Sequence, residues 1–67
     1  MITITVNGKK QEIEKPVNLP SFLESHNINS RMVAVGYNGE VVPRDKWGEV
    51  TVKEGDVLDI VHMVGGG

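Results

Sequence analysis

Three consecutive glycines, Gly65, Gly66 and Gly67, end the sequence and carry its terminal carboxylate. Glycine is the costliest residue to order and has no side chain with which to pack, so these residues contribute nothing to a core. Fully extended, they would carry the carboxylate roughly 10 Å beyond the preceding residue. Without Cβ atoms, such a lead could enter a channel that any other residue would block. The pattern predicts either a flexible tail with a reactive end or a frayed terminus.

Outside this tail, no residue pattern is typical of a catalytic or metal-binding site. Thr51, Asp59 and His62 could be imagined as a hydrolytic set, but no nucleophile motif or oxyanion-loop sequence accompanies them. The chain has two histidines and no cysteine, which excludes disulfides, thiolate metal sites, iron–sulfur clusters and a cysteine nucleophile. His26 is predicted to pack or to cap a helix rather than to bind metal. The residues predict a protein that has no catalytic machinery and binds no metal.

Length and charge limit the remaining function classes. Sixty-seven residues make one small domain, which buries only about 60% of its unfolded surface and leaves little room for a catalytic cleft. The net charge is −2, and lysine and arginine are scattered among acidic residues, so nucleic-acid binding is not expected. No leader pattern or apolar run of membrane-spanning length is present. The prediction is a cytoplasmic protein without a membrane partner.

The last strand is predicted from the apolar-rich residues 57–64, which lead directly into the glycines. Residues 2–6 alternate isoleucine or valine with threonine and predict a half-buried first strand. Asn7-Gly8 then predicts a hairpin, because both central positions of a type I′ turn require a positive φ. Residues 9–14 should return as a polar strand whose charges suit an exposed sheet edge.

A short helix is predicted after this first hairpin, with Asn18 as its N-cap and Pro20 in its first turn. Its apolar residues repeat at the spacing of one helical face and are Leu19, Phe22, Leu23 and His26. The helix is only about two turns long, and Asn27 suits a left-handed C-cap. The element therefore predicts a small amphipathic helix that covers one face of a sheet.

A second hairpin is predicted in the middle of the chain. Residues 32–37 form a continuous apolar run that predicts a central strand, and Asn38-Gly39 repeats the turn signal. Residues 40–42 should form a short return strand before Pro43 stops it. The only tryptophan, Trp47, follows in an irregular or 3₁₀ stretch and is expected to cover a small core.

The order of these elements predicts an α+β fold. A short helix between strands should cross one sheet face, and the preference for right-handed crossovers then places the last strand beside the first and parallel to it. This is the β-grasp, or ubiquitin-like, arrangement of a mixed sheet packed on one helix. The last strand would lie centrally, and residues 1–64 would form the domain from which a flexible tail, 65–67, extends.

Three segments of the chain resemble the ThiS family of sulfur carrier proteins of thiamine biosynthesis. The segments are Asn38-Gly39-Glu40-Val41-Val42-Pro43-Arg44 with Trp47, Glu54-Gly55-Asp56, and Ile60-Val61-His62-Met63-Val64-Gly65-Gly66-Gly67. The terminal glycines are shared with molybdopterin-synthase small subunits and ubiquitin-like proteins, but the combined Val-Pro-Arg, tryptophan and glycine pattern is more specific. Molybdopterin carriers commonly have a pair of prolines where this chain has His62-Met63. Gly36-Tyr37 and Pro20 depart from the family pattern.

The resemblance implies a chemistry for the tail. An E1-like adenylating enzyme of the ThiF type would use ATP to activate the carboxylate of Gly67, while the chain itself binds no cofactor. A persulfide sulfur donor would then convert it to a thiocarboxylate, which thiazole synthase of the ThiG type would use as its sulfur source. Gly65 and Gly66 would allow the tail to thread into both active sites. The protein would be a co-substrate rather than an enzyme.

An apolar docking patch beside the tail is also implied, formed by Val61, Met63 and Val64. The alternative is that alternate residues of the last strand, Met63 among them, face the core. Other functions remain open for the whole chain. They are a molybdopterin-type sulfur carrier, a ubiquitin-like modifier conjugated through Gly67, and a plain β-grasp interaction module with inert glycines.

Overall fold

The computed structural model describes residues 1–63, so Val64 and the three glycines lie outside the described residues. Among residues 1–63 there are seven strands and one α-helix, and the five predicted strands and the helix occur in the predicted order. The strands are β1 (Ile2–Val6), β2 (Lys9–Ile13), β3 (Val17–Asn18), β4 (Val33–Tyr37), β5 (Glu40–Val42), β6 (Thr51–Val52) and β7 (Val57–His62). The α-helix is α1 (Leu19–Ser25), and short 3₁₀ helices cover Ser30–Met32 and Arg44–Glu49.

The sheet that holds β7 is mixed, as the sequence predicts. Within the described residues its strand order is β2-β1-β7-β4-β5, which places β7 at the centre. The strand β7 runs parallel to β1, with Val57 opposite Thr5, and antiparallel to β4, with Val61 opposite Ala34. The predicted β-grasp topology is confirmed. The strand β7 ends at His62, whereas the sequence predicts a strand over residues 57–64.

Both Asn-Gly pairs form the predicted tight turns. Asn7 and Gly8 have φ angles of 51° and 81°, and Asn38 and Gly39 have φ angles of 51° and 91°. Positive values at both positions are those of a type I′ turn, whose twist matches that of the flanking strands. The two turns join β1 to β2 and β4 to β5, and both lie beside β7.

The helix packs its predicted stripe against the inner face of the sheet. Leu19, Phe22 and Leu23 are buried with apolar residues of the sheet, which are Ile4, Val33, Val35, Leu58 and Ile60. Asn18 stands at the N-cap position, but its side chain makes no capping hydrogen bond and instead donates to the carbonyl of Gly48 at 2.9 Å. The predicted N-cap position is therefore confirmed, but its side-chain hydrogen bond is not formed, and Pro20 has no N–H that could donate one.

Two local features differ from or extend the prediction. Met32, predicted to begin the central strand, ends a 3₁₀ turn, and its N–H donates to the carbonyl of Asn29 at 3.0 Å. Within residues 1–63, β3 and β6 also form a second, two-stranded sheet that was not predicted.

Trp47 is 4% exposed and donates from Nε1 to the carbonyl of Val42 at 2.9 Å, so its predicted role as a cover over the core is confirmed.

Candidate functional site

Val61 near the end of β7 and Met63 just beyond it are two of the three residues that the family resemblance assigns to docking. Val61 is 60% exposed and Met63 is 49% exposed, so neither is a core residue. The N–H of Met63 donates to the carbonyl of Met32 at 2.8 Å, which continues the pairing with β4 past the end of the strand. Val64, the third residue of the predicted patch, lies outside the described residues. The docking role of these side chains stays a prediction.

Alternation along β7 separates a buried face from an open one. Leu58 and Ile60 face the core, whereas Val57, Asp59 and Val61 are exposed on the opposite face. Val61 borders a shallow apolar groove on this outer face, lined also by Ala34, Gly36, Gly39, Glu40, Val41 and Asp59. The apolar part of the outer face therefore extends from the strand that leads to the tail toward β5.

Two turn asparagines bind the backbone of β7 directly. The Oδ1 atom of Asn7 accepts a hydrogen bond from the N–H of Ile60 at 2.7 Å, and the Oδ1 atom of Asn38 accepts one from Val57 at 2.8 Å. Backbone bonds add to these contacts, because Asn7 N–H donates to the carbonyl of Leu58 and Asn38 N–H donates to the carbonyl of Val57. Sequence reasoning used these asparagines only as turn formers. The presence of asparagine at both turns was the one sequence feature that could have indicated these side-chain bonds.

The start of β7 is anchored by Asp56, a carboxylate that is 5% exposed. It accepts hydrogen bonds from the hydroxyl of Tyr37 at 2.6 Å, from the N–H of Lys53 at 2.9 Å and from Nδ2 of Asn38 at 3.3 Å. Burial raises the pKa of this carboxyl, but the three hydrogen bonds and the Lys53 ammonium outweigh burial and hold the pKa below its usual value. The group is therefore ionised at neutral pH and fixes the turn before β7.

The side chains of Thr51, Asp59 and His62, the hydrolytic set considered from the sequence, do not lie together. Asp59 and His62 lie three positions apart on one strand, so their side chains leave it on opposite faces. Thr51 is in β6, which belongs to the other sheet. Over the described range, no group of three histidine, cysteine or acidic residues is placed to hold a metal ion. No helix within residues 1–63 is long and apolar enough to span a membrane.

His26 has the structural role that its position predicts. It follows the last residue of α1, and its ring lies 4.3 Å from the ring of Phe22. Its Nδ1 atom is 3.0 Å from the carbonyl of Phe22, and its Nε2 atom is 2.9 Å from Nε2 of Gln11. An amide nitrogen can only donate, so Nε2 accepts and Nδ1 carries the proton. The histidine caps the helix and ties it to β2.

Comparison with known proteins gives a consistent family assignment. The model of the ThiS family matches residues 4–67, which is nearly the whole chain. The sulfur carrier protein ThiS of Bacillus subtilis is 32% identical over 65 residues, covering 96% of this chain and 98% of that protein. A thiazole synthase of Paramagnetospirillum magneticum is 34% identical over 64 residues, covering 96% of this chain. Those residues are 20% of the synthase, so this chain spans about a fifth of that relative.

A solved structure extends the similarity to three dimensions. The crystal structure of the thiamine biosynthesis protein ThiS from Geobacter metallireducens matches with a TM-score of 0.87 at 32% identity. The match covers 98% of this chain and 100% of that chain. The strand order and the single helix of residues 1–63 are therefore those of a family with an experimentally known β-grasp fold.

Proposed function

The chain belongs to the ThiS family, and on that premise we propose that it is a sulfur carrier protein of thiamine biosynthesis. The observation that carries this proposal is the family match, which extends through the terminal glycines to Gly67. The similarity to the sulfur carrier of Bacillus subtilis over almost the full length of both chains supports it. The carrier acts as a co-substrate of other enzymes.

The first chemical step activates the carboxylate of Gly67. A free carboxylate is a poor electrophile, because its negative charge repels nucleophiles and oxide is a poor leaving group. One carboxylate oxygen attacks the α-phosphorus of ATP, pyrophosphate leaves, and an acyl-adenylate forms. The E1-like adenylating enzyme supplies ATP and the acid–base groups for this step. The carrier supplies the unhindered glycyl carbonyl.

The second step exchanges oxygen for sulfur. The terminal sulfur of a persulfide donor attacks the activated carbonyl, and AMP leaves to give an acyl disulfide. A thiol then reduces the sulfur–sulfur bond, becomes oxidised to a disulfide, and releases the C-terminal thiocarboxylate. The sulfur is nucleophilic and covalently tethered, so it is not lost to solution between enzymes.

The fold contributes a rigid base for this tail. The strand β7 is paired on both sides at its start and by β4 up to Met63. We expect Gly65 and Gly66 to extend from this base as a flexible lead that enters two active sites in turn. Val61 and Met63, both well exposed, are proposed with Val64 as the apolar contact to these enzymes.

Thiazole synthase is proposed as the enzyme that receives the sulfur. The thiazole synthase of Paramagnetospirillum magneticum contains a segment similar to this chain, which supports a physical association of the two activities. The adenylating enzyme and the persulfide donor are proposed from the family resemblance, and they would supply the activation that the carboxylate needs. We expect all of these steps to take place in the cytoplasm.

A sulfur-trapping experiment tests the proposal. The full chain is incubated with the adenylating enzyme, ATP and a persulfide donor, and the product is treated with a thiol-selective alkylating reagent. We expect one alkyl group per chain, located by mass spectrometry at Gly67. Because the chain has no cysteine, background labelling should be low. Mass gain alone is insufficient, because oxidation of Met63 on the same tryptic fragment gives nearly the same increase.

The control omits ATP, which should abolish the trapped sulfur. Failure to trap sulfur under conditions that activate the Bacillus subtilis carrier would contradict the proposal. Isopeptide-linked adducts through Gly67 would instead identify a ubiquitin-like modifier.

A further inference from the structure

A glycine leaves an open space beside a carboxylate on the outer face of the sheet. Gly36 of β4 lies opposite Asp59 of β7. A Cβ atom at Gly36 would lie 3.6 Å from Cβ of Asp59 and 3.9 Å from its Oδ2 atom. Because glycine has no Cβ, this space stays open and a carboxylate oxygen borders it. It belongs to the outer groove, whose lining includes Ala34, Gly36, Val41, Asp59 and Val61.

The strand register gives the outer groove an apolar side and a charged side. Gly36 lies between Asp59 of β7 and Val41 of β5, because it is opposite both. One pair further along, Val61 lies opposite Ala34. Val41 is 78% exposed and Val61 is 60% exposed, so both valines offer apolar surface that nothing in residues 1–63 covers. A carboxylate therefore faces an apolar wall across a residue without a side chain.

The charge of the outer groove is not balanced by a neighbouring cation. Its lining contains two acidic residues, Asp59 and Glu40, and no basic one. Neither acid takes part in the two ion pairs found within residues 1–63. Complementary charge sets the specificity of an interface, so this surface is suited to a cationic group. The apolar wall requires that the cation be carried on an apolar stem.

Size and chemistry together select an arginine side chain as the group that fits. The groove holds a space of about 210 Å³, which is smaller than the roughly 300–1,000 Å³ of small-molecule sites. A protein side chain therefore fits better than a cofactor. The guanidinium of arginine is planar, weakly hydrated and able to bond both oxygens of one carboxylate. Lysine carries a more strongly hydrated point charge, which costs more to bring beside Val41.

We propose that the outer groove receives an arginine side chain of thiazole synthase, whose guanidinium pairs with Asp59 while its stem packs on Val41 and Val61. This inference rests on the proposed function and adds a residue that determines specificity for the enzyme that accepts the sulfur. Thiazole synthase is the occupant because the synthase of Paramagnetospirillum magneticum carries a segment similar to this chain as 20% of its own length. The rest of that protein is thus held covalently beside a carrier-like segment.

Removing the charge of Asp59 tests the ion pair. Binding of the full chain to a ThiG-type thiazole synthase is measured by isothermal titration calorimetry for wild type and for Asp59→Asn, which keeps the shape of the side chain. We expect the Kd to rise about tenfold in Asp59→Asn, because a hydrogen bond between charged groups is lost. An unchanged Kd would overturn the proposal.

Glu12→Gln is the matched control for the loss of one negative charge. Glu12 lies opposite Thr3 on β2, two strands away from β7 on the same exposed face of the sheet. We expect its Kd to stay within about twofold of wild type, since a distant surface charge contributes little. An equal rise in Kd for Glu12→Gln and Asp59→Asn would show that only net charge matters and would overturn the proposal.

Filling the space at Gly36 tests the groove without changing any charge. In Gly36→Val the new Cβ meets Asp59 at an ordinary contact distance of 3.6 Å, and valine is favourable in strands, so the melting temperature should not fall. We expect the Kd for the synthase to rise at least tenfold, because the arginine can no longer enter. Thr5→Val adds a valine to the same face outside the groove and should bind like wild type. Wild-type affinity of Gly36→Val would overturn the proposal.

Chemical modification of the synthase distinguishes arginine from lysine. Phenylglyoxal blocks arginine side chains, and acetylation neutralises lysine side chains. We expect phenylglyoxal treatment to weaken binding of the wild-type chain about tenfold and binding of Asp59→Asn much less, since that variant has already lost the ion pair. Equal losses for both chains, or a loss after acetylation alone, would overturn the assignment of arginine.

The outcomes separate this inference from the function on which it rests. A wild-type chain that traps sulfur at Gly67 and binds the synthase independently of Asp59 keeps the carrier function and removes the arginine contact alone. A wild-type chain that traps no sulfur overturns both. A larger effect of Asp59→Asn on the KM for adenylation than on the synthase Kd would assign the groove to the adenylating enzyme and overturn the proposal. Self-association that requires Asp59 would identify a second copy as the occupant, with the same consequence.

Discussion

At the scale of single residues, Asp56 fixes the turn that precedes the final strand. Its carboxylate gathers the Tyr37 hydroxyl, the Lys53 N–H and the Asn38 amide around one buried position. The Nζ atom of Lys53 lies 3.6 Å from Oδ1 of Asp56 and donates a hydrogen bond to the Tyr37 hydroxyl at 2.9 Å. The hydrogen bond to Tyr37 and the charge of Asp56 raise the pKa of Lys53. Three side chains and one backbone N–H therefore depend on one ionised group.

Replacing this carboxylate should reveal its contribution to stability. Asp56→Asn places an amide nitrogen among donors, so we expect the free energy of unfolding at pH 7 to fall by about 1–3 kcal/mol. The pKa of Asp56 is lowered in the folded state, so its contribution is present above about pH 4 and is lost as the pH falls through the folded-state pKa. Urea unfolding from pH 7 to pH 3 measures both quantities.

The difference between wild type and variant is the decisive quantity, because other carboxylates also titrate in this range. That difference should shrink as the pH falls below 4. A constant difference across the range would show that the ionised form of Asp56 is not what stabilises the turn.

At the scale of elements, β7 is held by neighbours along both of its edges. The strands β1 and β4 pair with it, and the side chains of Asn7 and Asn38 bond to its backbone from the two hairpin turns. The side chain of Asn7 takes the place of a further β1 residue at Ile60. The turns therefore close the hairpins and also extend the pairing of the central strand.

Asn7→Gly should separate these two roles of the turn residue. Glycine accepts the positive φ of 51° at this position but cannot bond to Ile60. We expect a loss of about 1 kcal/mol in the free energy of unfolding and faster amide exchange at Ile60. Asn7→Asp is the matched control, since it keeps an acceptor oxygen and should keep Ile60 protected. Unchanged exchange at Ile60 in Asn7→Gly would show that the side-chain bond is not formed in solution.

The exposed end of β7 is tested by a charge placed on Met63. Because Met63 is 49% exposed, Met63→Asp should leave the melting temperature within about 2 °C of wild type. Loss of an apolar contact should raise the KM for adenylation about tenfold, equivalent to roughly 1.4 kcal/mol. Val57→Asp is the control, because Val57 lies at the other end of the same strand and is 39% exposed. An equal KM for both variants would remove Met63 from the contact.

At the scale of the whole molecule, stability and chemistry reside in different parts of the chain. The buried residues lie between Ile4 and Ile60, whereas the proposed chemistry belongs to Gly67. A change in the tail should therefore alter adenylation without altering the fold.

Two tail variants should show this separation. Deleting Gly67 moves the carboxylate back by roughly 3.5 Å, and Gly66→Val adds branched bulk where a narrow channel accepts only backbone. We expect adenylation to fall by roughly a hundredfold or more in both, since smaller misplacements already have effects of that size. Melting temperature and the amide spectrum of residues 2–60 should hardly change. Adenylation at the wild-type rate in both variants would show that the glycines are inert.

Much of the architecture could be predicted from the sequence because its signals are local. Each Asn-Gly turn depends on φ preferences of two adjacent residues, and the strands and helix depend on periodicities of two and 3.6 residues. The last strand was predicted from these signals, the β-grasp topology from the handedness of crossovers, and the cover provided by Trp47 from its place after a short edge strand. The tail chemistry is proposed from the resemblance to the ThiS family, since glycines without side chains carry no geometric signal of their own.

Only the tertiary structure decided which distant groups meet. The pairing of β3 with β6, the bond from Asn7 to Ile60 and the group around Asp56 join residues that are far apart in sequence. Asn18 was predicted to cap α1, but a carbonyl at Gly48 was within reach of its side chain. Likewise, β1 pairs with β7 only at Val57 and Leu58, because β1 ends at Val6. Such contacts depend on where every other element packs, and no local preference encodes that position.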